Sequence, residues 1–89
     1  MARIPMEAFE EGTEIVRVYL AARLEEAQAV EQALDGAGLE YGAETEDLAP
    51  PSAFRARRRG VGFWLDAPDA DRGVEALERA GLVAGLVRR

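Results

Sequence analysis

Four arginines, Arg55, Arg57, Arg58 and Arg59, follow a loop that contains two consecutive prolines. Guanidinium groups bind phosphate and carboxylate through forked hydrogen bonds, so this cluster is a candidate site for a small anionic ligand. The alternative is that the arginines pair with carboxylates on the other side of the loop, and we favour this local pairing. The carboxylates in question are those of Glu44, Glu46 and Asp47.

Several residue types that enzymes use most often are missing from the chain. Its 89 residues include no His, Cys, Lys or Asn, and all 11 basic residues are Arg. The commonest acid–base group, the thiol nucleophile and Schiff-base chemistry are therefore excluded. The acidic residues do not have the spacing of a metal site. We predict a protein that is not an enzyme, with no cofactor and no metal.

The charge and the hydropathy pattern predict the location of the protein. The formal net charge of −6 disfavours binding to nucleic acid or to an anionic membrane. No apolar run approaches the roughly 20 residues that a membrane-spanning helix needs. The N-terminus lacks the apolar region of a signal peptide. We therefore expect a cytoplasmic protein without a membrane partner.

One motif suggests RNA. The segment 59–63, Arg-Gly-Val-Gly-Phe, resembles the core of the RNA-recognition-motif signature, and Val18-Tyr19-Leu20 resembles its companion on the first strand. Tyr19, Phe63 and Arg59 would then bind single-stranded RNA. However, Val61 stands where a base-stacking aromatic residue belongs, and the net charge is unfavourable. RNA binding is therefore the alternative function, and not the favoured one.

The hydrophobic periodicity predicts six elements that position these residues. We expect strands at 15–21, 39–45 and 60–65, and a helix at 23–37 with Leu24 among its inward residues. A second helix runs to Ala80, with Asp69 as its candidate N-cap. Residues 83–87 form either a fourth short strand or a final helical turn.

A repeat connects the two helices. The pattern Ala-Leu-x-x-Ala-Gly-Leu at 33–39 returns 43 positions later at 76–82, and each copy has a Gly where a helix should end. Sliding 16–44 onto 59–87 aligns strand, helix and helix end in one register. Two strand–helix–strand units predict an α+β, ferredoxin-like βαββαβ plait. Its four antiparallel strands would carry both helices on one face.

This register assigns side chains to the two faces of the sheet. The helix side receives Val16, Val18, Leu20, Tyr41, Val61, Phe63 and Leu65. The open face receives mostly small or uncharged residues together with two aromatic ones, Tyr19 and Trp64, and an open apolar face is typical of an interface. We predict a homo-oligomer, a dimer or trimer, that associates through this face. The open-face set is Arg17, Tyr19, Ala21, Glu40, Gly42, Gly62, Trp64, Val83 and Gly85.

Residues 1–14 are predicted to form an N-terminal arm ahead of a domain at 15–89. The arm is acidic and carries three large apolar residues, Ile4, Met6 and Phe9. These residues are its expected anchors, either on the core of the same chain or on a neighbouring subunit. Together with Tyr19, Trp64 and Val83 they make up the predicted interface.

Several segments resemble a known family. They are 16–21 (VRVYLA), 24–30 (LEEAQAV), Leu34-x-x-Ala-Gly-Leu-Glu-Tyr41, Phe63-Trp64-Leu65 and the second helix. Together they are similar to a family of small prokaryotic signal-transducing proteins with a PII-like, ferredoxin-like fold. The resemblance covers about residues 15–82 and implies a regulatory or ligand-sensing role. We therefore predict a non-enzymatic regulatory or interaction module that senses a small ligand or anion and self-associates.

Overall fold

The computed structural model describes residues 3–9, 12, 14–47 and 59–87. It is a mixed α+β structure, as predicted, with two helices and a three-stranded antiparallel sheet. A short 3-10 helix (Met6–Ala8) precedes the regular elements. These are β1 (Ile15–Ala21), α1 (Leu24–Gly36), β2 (Gly42–Asp47), β3 (Arg59–Asp66) and α2 (Ala67–Arg79).

Both helices pack on the sheet through an apolar stripe. Ala27, Val30 and Leu34 of α1 are buried, but Leu24 is 72% exposed, so its predicted inward position is wrong. It occupies the first position of α1, one turn before Ala27, the first residue of the helix that is buried. The N-cap of α2 is Asp66, so the predicted N-cap at Asp69 is wrong. The helix begins before Pro68, because a proline is tolerated in the first turn of a helix.

The two helix ends confirm the helical part of the repeat. Gly38 and Gly81 have φ values of 73° and 78°, in the left-handed region that favours glycine. In each copy the leucine after that glycine donates its N–H to a leucine carbonyl in the last turn, at 3.1 Å for Leu39 and 2.9 Å for Leu82. The bounds of α2 are those of α1 shifted by the same 43 positions.

The sheet has the strand order β1-β3-β2. Its central strand, β3, pairs antiparallel with both neighbours, and its inward residues Phe63 and Leu65 are fully buried. The second strand begins at Gly42, later than predicted. Tyr41, just before it, is nevertheless buried, and its ring lies 5.9 Å from that of Phe63, measured between centroids.

An irregularity in β1 reverses part of the predicted face assignment. The register shifts between Arg17 and Tyr19, so Val18 is an extra residue relative to β3. Tyr19 then lies opposite Phe63, with 1% of its surface exposed, while Leu20 lies opposite Gly62. The predicted positions of Tyr19 on the open face and of Leu20 on the helix side are wrong. A bulge of one residue moves every later side chain of a strand to the other face.

Residues 83–87 come back to the outer edge of β1. They form one antiparallel bridge, Tyr19 to Leu86, with hydrogen bonds from the Leu20 N–H to the Gly85 carbonyl (2.8 Å) and from the Val87 N–H to the Val18 carbonyl (3.0 Å). A single bridge is not a strand, so the described residues form three strands where four were predicted.

The N-terminal arm lies against β2 of its own chain. The Ile4 N–H donates to the Tyr41 carbonyl at 2.8 Å, next to a parallel bridge between Arg3 and Tyr41. Met6 and Phe9 then lie over Gly42, where a Cβ atom would overlap the Met6 sulfur and lie 2.9 Å from the Phe9 ring. The arm therefore covers one end of the open face. Within the described residues, neither helix is long and apolar enough to cross a bilayer.

Candidate ligand-binding groove

A groove of about 500 Å³ separates α2 from the outer edge of β1. Val16 and Val18 of β1 form its floor, Val74 forms its helix wall, and Val87 of the C-terminal segment closes one end. Its volume lies within the range of roughly 300–1,000 Å³ that is typical of ligand sites. Its described lining comes from α2 on one side and from β1 and the C-terminal segment on the other.

The rim of the groove is acidic. Asp71, Glu75 and Glu78 line it from α2 at spacings of four and three residues, which place them along one face of the helix. They are the charged members of the described lining, and Asp71 and Glu78 each make a polar interaction elsewhere in the chain. Glu75 also accepts a hydrogen bond from Arg79 at 2.6 Å, on the exposed side of the helix. An apolar floor below three carboxylates is suited to a ligand with an apolar body and a positive charge.

The C-terminal end of the groove requires a glycine. A Cβ atom at Gly85 would overlap the backbone carbonyl oxygen of Leu20 and lie 2.6 Å from the Tyr19 ring. The close approach of these two backbones holds Val87 over Val18, with the hydrogen bond described above. Gly85 therefore positions one wall of the groove.

Two buried tyrosines attach α1 to the sheet on the same side. The Tyr19 hydroxyl donates to Glu26, and the Tyr41 hydroxyl donates to Glu31 at 2.8 Å. Burial, and then the hydrogen bond to Glu26, raise the pKa of Tyr19, while the same hydrogen bond lowers the pKa of Glu26. Burial is also the main cause of the raised pKa of Tyr41. Both phenols therefore remain protonated donors at neutral pH and restrain α1.

The open face of the sheet carries an ion pair over a glycine. Arg17 donates to Glu46, and a Cβ atom at Gly62 would overlap this Glu46 carboxylate. The Arg17 guanidinium also lies 6.0 Å from the Trp64 ring centroid, within the range of a cation–π contact. Trp64 is on the open face, as predicted, and is half-buried. Met6 over Gly42 and this ion pair over Gly62 therefore cover part of the open face with the protein's own chain.

The predicted anion site lies mostly outside the described residues. Arg55, Arg57 and Arg58 belong to the segment 48–58, which the structure does not describe. Arg59 begins β3, is exposed, and lies opposite Asp47 in the strand register. This placement brings Arg59 close to one of the acidic residues proposed as its local partners. Ligand binding by the cluster stays a prediction.

The predicted interface residues are distributed over several surfaces. Ile4, Met6 and Phe9 contact or approach β2 of their own chain, whereas Val83 is 59% exposed. Tyr19 is excluded from the open face by its burial. Self-association through the remaining surface stays a prediction.

The two aromatic residues that were considered for RNA binding are both buried. Phe63 has no exposed surface and Tyr19 has 1%, so neither ring is available to stack on a base. Of the three residues considered for RNA binding, Arg59 is exposed, and RNA binding stays an untested alternative.

Sequence reasoning missed the groove. The spacing of Asp71, Glu75 and Glu78 was visible as one acidic stripe, but a solvated helix face explains such a stripe equally well. The position of α2 beside β1 is a tertiary property. Across the described ranges, no group of three or more metal-ligating side chains comes together.

No protein-family model, no curated protein and no solved structure matches this chain. The resemblance to the signal-transducing family therefore remains a prediction from the residues quoted above. The function has to be argued from the geometry of the molecule.

Proposed function

We propose that the protein is a non-enzymatic interaction module whose ligand site is the groove between α2 and β1. The observation that carries this proposal is the combination of an open volume of about 500 Å³ with a floor of valines and a rim of carboxylates. Such a site binds through burial of apolar surface and orients its ligand by charge. The ligand class is therefore an apolar cation.

The composition supports a binding role over a catalytic one. A chain with no His, Cys or Lys has few groups that transfer protons or form covalent intermediates near neutral pH. The tyrosines of the helix side are held as neutral donors, with their pKa values raised by burial. A regulatory role, as the family resemblance implies, is consistent with such a module.

The proposed fold is a ferredoxin-like plait whose fourth strand is represented, among the described residues, by one bridge. The order β1-β3-β2 is that of the first three strands of a βαββαβ plait, and the bridge at Leu86 lies at the place of the fourth, beside β1. The matching bounds of the two helices support a doubled strand–helix–strand unit. On this view, the groove is the part of the fourth-strand position that the described residues leave open.

A titration with a small apolar cation tests the proposed site. Octylguanidinium, added to ¹⁵N-labelled protein at low ionic strength, is expected to shift amide resonances of Val18, Asp71 and Val74 in a saturable manner. Octanoate has an apolar chain of similar length but the opposite charge, so it should produce much smaller shifts. Equal responses to both probes, or no saturable response to the cation, would contradict the proposal.

A pair of matched variants locates the binding. Val74→Arg places a cation and additional volume inside the groove, and it should abolish the response to octylguanidinium. Val83→Arg makes the same change at an exposed position outside the lining, and it should leave the response intact. Circular dichroism of both variants verifies that they are folded.

A further inference from the structure

We propose that two copies of this chain exchange their N-terminal arms, so that the arm of each copy docks on the sheet of the other. The partner is a second copy of the protein. The docking surface is the end of the open face that the arm covers, together with the adjoining edge of β2. This surface is separate from the groove, so the inference does not rest on the proposed function. Two features carry it: the kind of contact that the arm makes, and the way in which the arm is joined to β1.

Main-chain and charge contacts dock the first described residues of the arm. The Ile4 N–H donates to the Tyr41 carbonyl at 2.8 Å, beside the parallel bridge at the same place. Arg3 lies 3.9 Å from the carboxylate of Glu31 on α1. A segment of another chain can make the same contacts, because strand addition and charge pairing do not require a covalent connection between the partners.

A turn within the arm carries its apolar anchors. The Ala8 N–H donates to the Pro5 carbonyl at 2.9 Å, so the 3-10 helix is closed by a bond inside the arm. Met6 and Phe9 project from this turn over Gly42, where the sheet has no side chain of its own. Because the bond that shapes the turn lies within the arm, the arm presents the same anchors when it docks on another copy.

Few buried groups hold the arm in place. The 3-10 helix contains no buried residue, and the Arg3 side chain is 53% exposed. Gly12, between this helix and β1, has a φ of 87° and no described atom within 4 Å of the place of a Cβ. A glycine with free space around it is suited to act as a hinge. Rotation there lets the arm reach either its own sheet or that of a second copy.

Exchange conserves the contacts of the arm and changes only the chain that supplies them. Exchange of an identical segment is a low-cost route to a dimer for this reason. In the monomer, the short connection gives the arm a local concentration in the millimolar range. We therefore expect exchanged dimers to become appreciable at protein concentrations of about 0.5 mM.

The connection between the arm and β1 has to cross the sheet. The arm ends over Gly42, which lies opposite Trp64, whereas β1 begins at Ile15, opposite Asp66. Two strand spacings of about 4.8 Å and two residues along the strand separate these places by about 12 Å. The six steps from Phe9 to Ile15 span about 20 Å when extended, so closure within one copy is possible.

Deletion of residues 10–13 from the chain makes that closure impossible. The two remaining steps from Phe9 to Ile15 span about 7 Å, less than the crossing needs. Native mass spectrometry should then show a dimer at about 10 µM, where the wild type is monomeric. Insertion of Gly-Ser-Gly-Ser after Gly12 is the control, and this variant should stay monomeric at the same concentration. A deletion variant that is folded by circular dichroism and monomeric would overturn the inference.

Cysteine cross-linking tests exchange with the full connection in place. The wild type has no Cys, so an introduced pair reports on one contact. The Met6→Cys variant and a ¹⁵N-labelled Gly42→Cys variant are mixed at about 0.5 mM and oxidised. The Met6 Cγ atom, where the new sulfur would lie, is 3.6 Å from the Cβ position of residue 42, within reach of a disulfide. We expect a mixed disulfide-linked dimer, identified by its mass.

Two controls accompany the mixture. Leu24→Cys in place of Met6→Cys puts the thiol at an exposed site outside the arm, and it should give at least about tenfold less mixed dimer. Equal yields would mean random collision and would overturn the inference. The double variant Met6→Cys, Gly42→Cys should form the same disulfide within one chain at micromolar concentration. If it does so while the mixture gives no mixed dimer, the arm binds only its own sheet and the inference fails.

Discussion

Replacement of Gly85 by alanine is expected to detach the C-terminal segment from the edge of β1. The new methyl group would overlap the Leu20 carbonyl oxygen and lie 2.6 Å from the Tyr19 ring. Neither neighbour can move easily, because the first is backbone in a paired strand and the second is a buried ring that donates a hydrogen bond to Glu26. The segment is therefore the part that must give way.

The expected loss of stability follows from the contacts of that segment. Detachment breaks two backbone hydrogen bonds, which contribute about 1 kcal/mol each to the free energy of unfolding. It also exposes part of Leu86, which packs against the core, at a cost of about 1 kcal/mol. Alanine restricts the unfolded chain and offsets about 0.5 kcal/mol of this loss. We expect the free energy of unfolding to fall by about 2–3 kcal/mol, within the range common for point mutations.

Urea denaturation monitored by Trp64 fluorescence and by circular dichroism measures this change. Gly36→Ala is the matched control, because it makes the same substitution in α1 where nothing lies within 4 Å. That control should stabilise the protein by about 0.5–1 kcal/mol through the helix propensity of alanine. Amide spectra add a local readout, since Gly85→Ala should shift the resonances of Val18 and Leu20 most strongly.

The reasoning would be refuted if Gly85→Ala unfolded within 0.5 kcal/mol of the wild type and left the amide resonances of β1 unchanged. Such a result would mean that residues 85–87 do not approach β1 as closely as described. The end wall of the groove would then also be misplaced.

Four further substitutions test other parts of the fold. Gly42→Ala should push the N-terminal arm off the open face, so limited proteolysis should cut the arm faster than in the wild type. An unchanged rate of cleavage would count against the contact. Leu34→Ala should cost about 2–5 kcal/mol in urea denaturation, while Leu24→Ala on the same helix should cost less than about 0.5 kcal/mol; similar losses would contradict their burial. Tyr19→Phe should cost about 1 kcal/mol. The Tyr19 hydroxyl lowers the pKa of Glu26 below 4.5 in the folded state, so the wild type loses free energy of unfolding as the pH falls below 4.5. Tyr19→Phe should make this loss smaller. An equal loss in both proteins would argue against the hydrogen bond.

The sign of this pH effect depends on the direction of each shift. Glu26 has a lowered pKa in the folded state, so its contribution is present above its unfolded pKa and is lost as the pH falls through the folded value. Tyr19 and Tyr41 have raised pKa values, so their contributions are lost as the pH rises above about 10. Stability should therefore be greatest between these two limits.

The chain's local patterns determined its two helices and the class of fold. Apolar residues at helical spacing and a left-handed glycine at each helix end are local signals. For that reason, the offset of 43 positions predicted from the sequence reappears in the bounds of α1 and α2. Phe63 was also correctly assigned to the helix side, because β3 alternates without interruption.

Tertiary structure decided the faces of β1, the cover of the open face and the groove. The extra residue at Val18 leaves no signal in the sequence, because Tyr19 and Leu20 are both apolar enough to lie on either face of the sheet. In the structure, this extra residue places Tyr19 in the core. The place of the arm depends on whether Met6 fits over Gly42 at the start of β2. The groove depends on the approach of α2, β1 and the C-terminal segment to one another. These are relations between segments distant in the chain, and a pattern within one segment does not contain them.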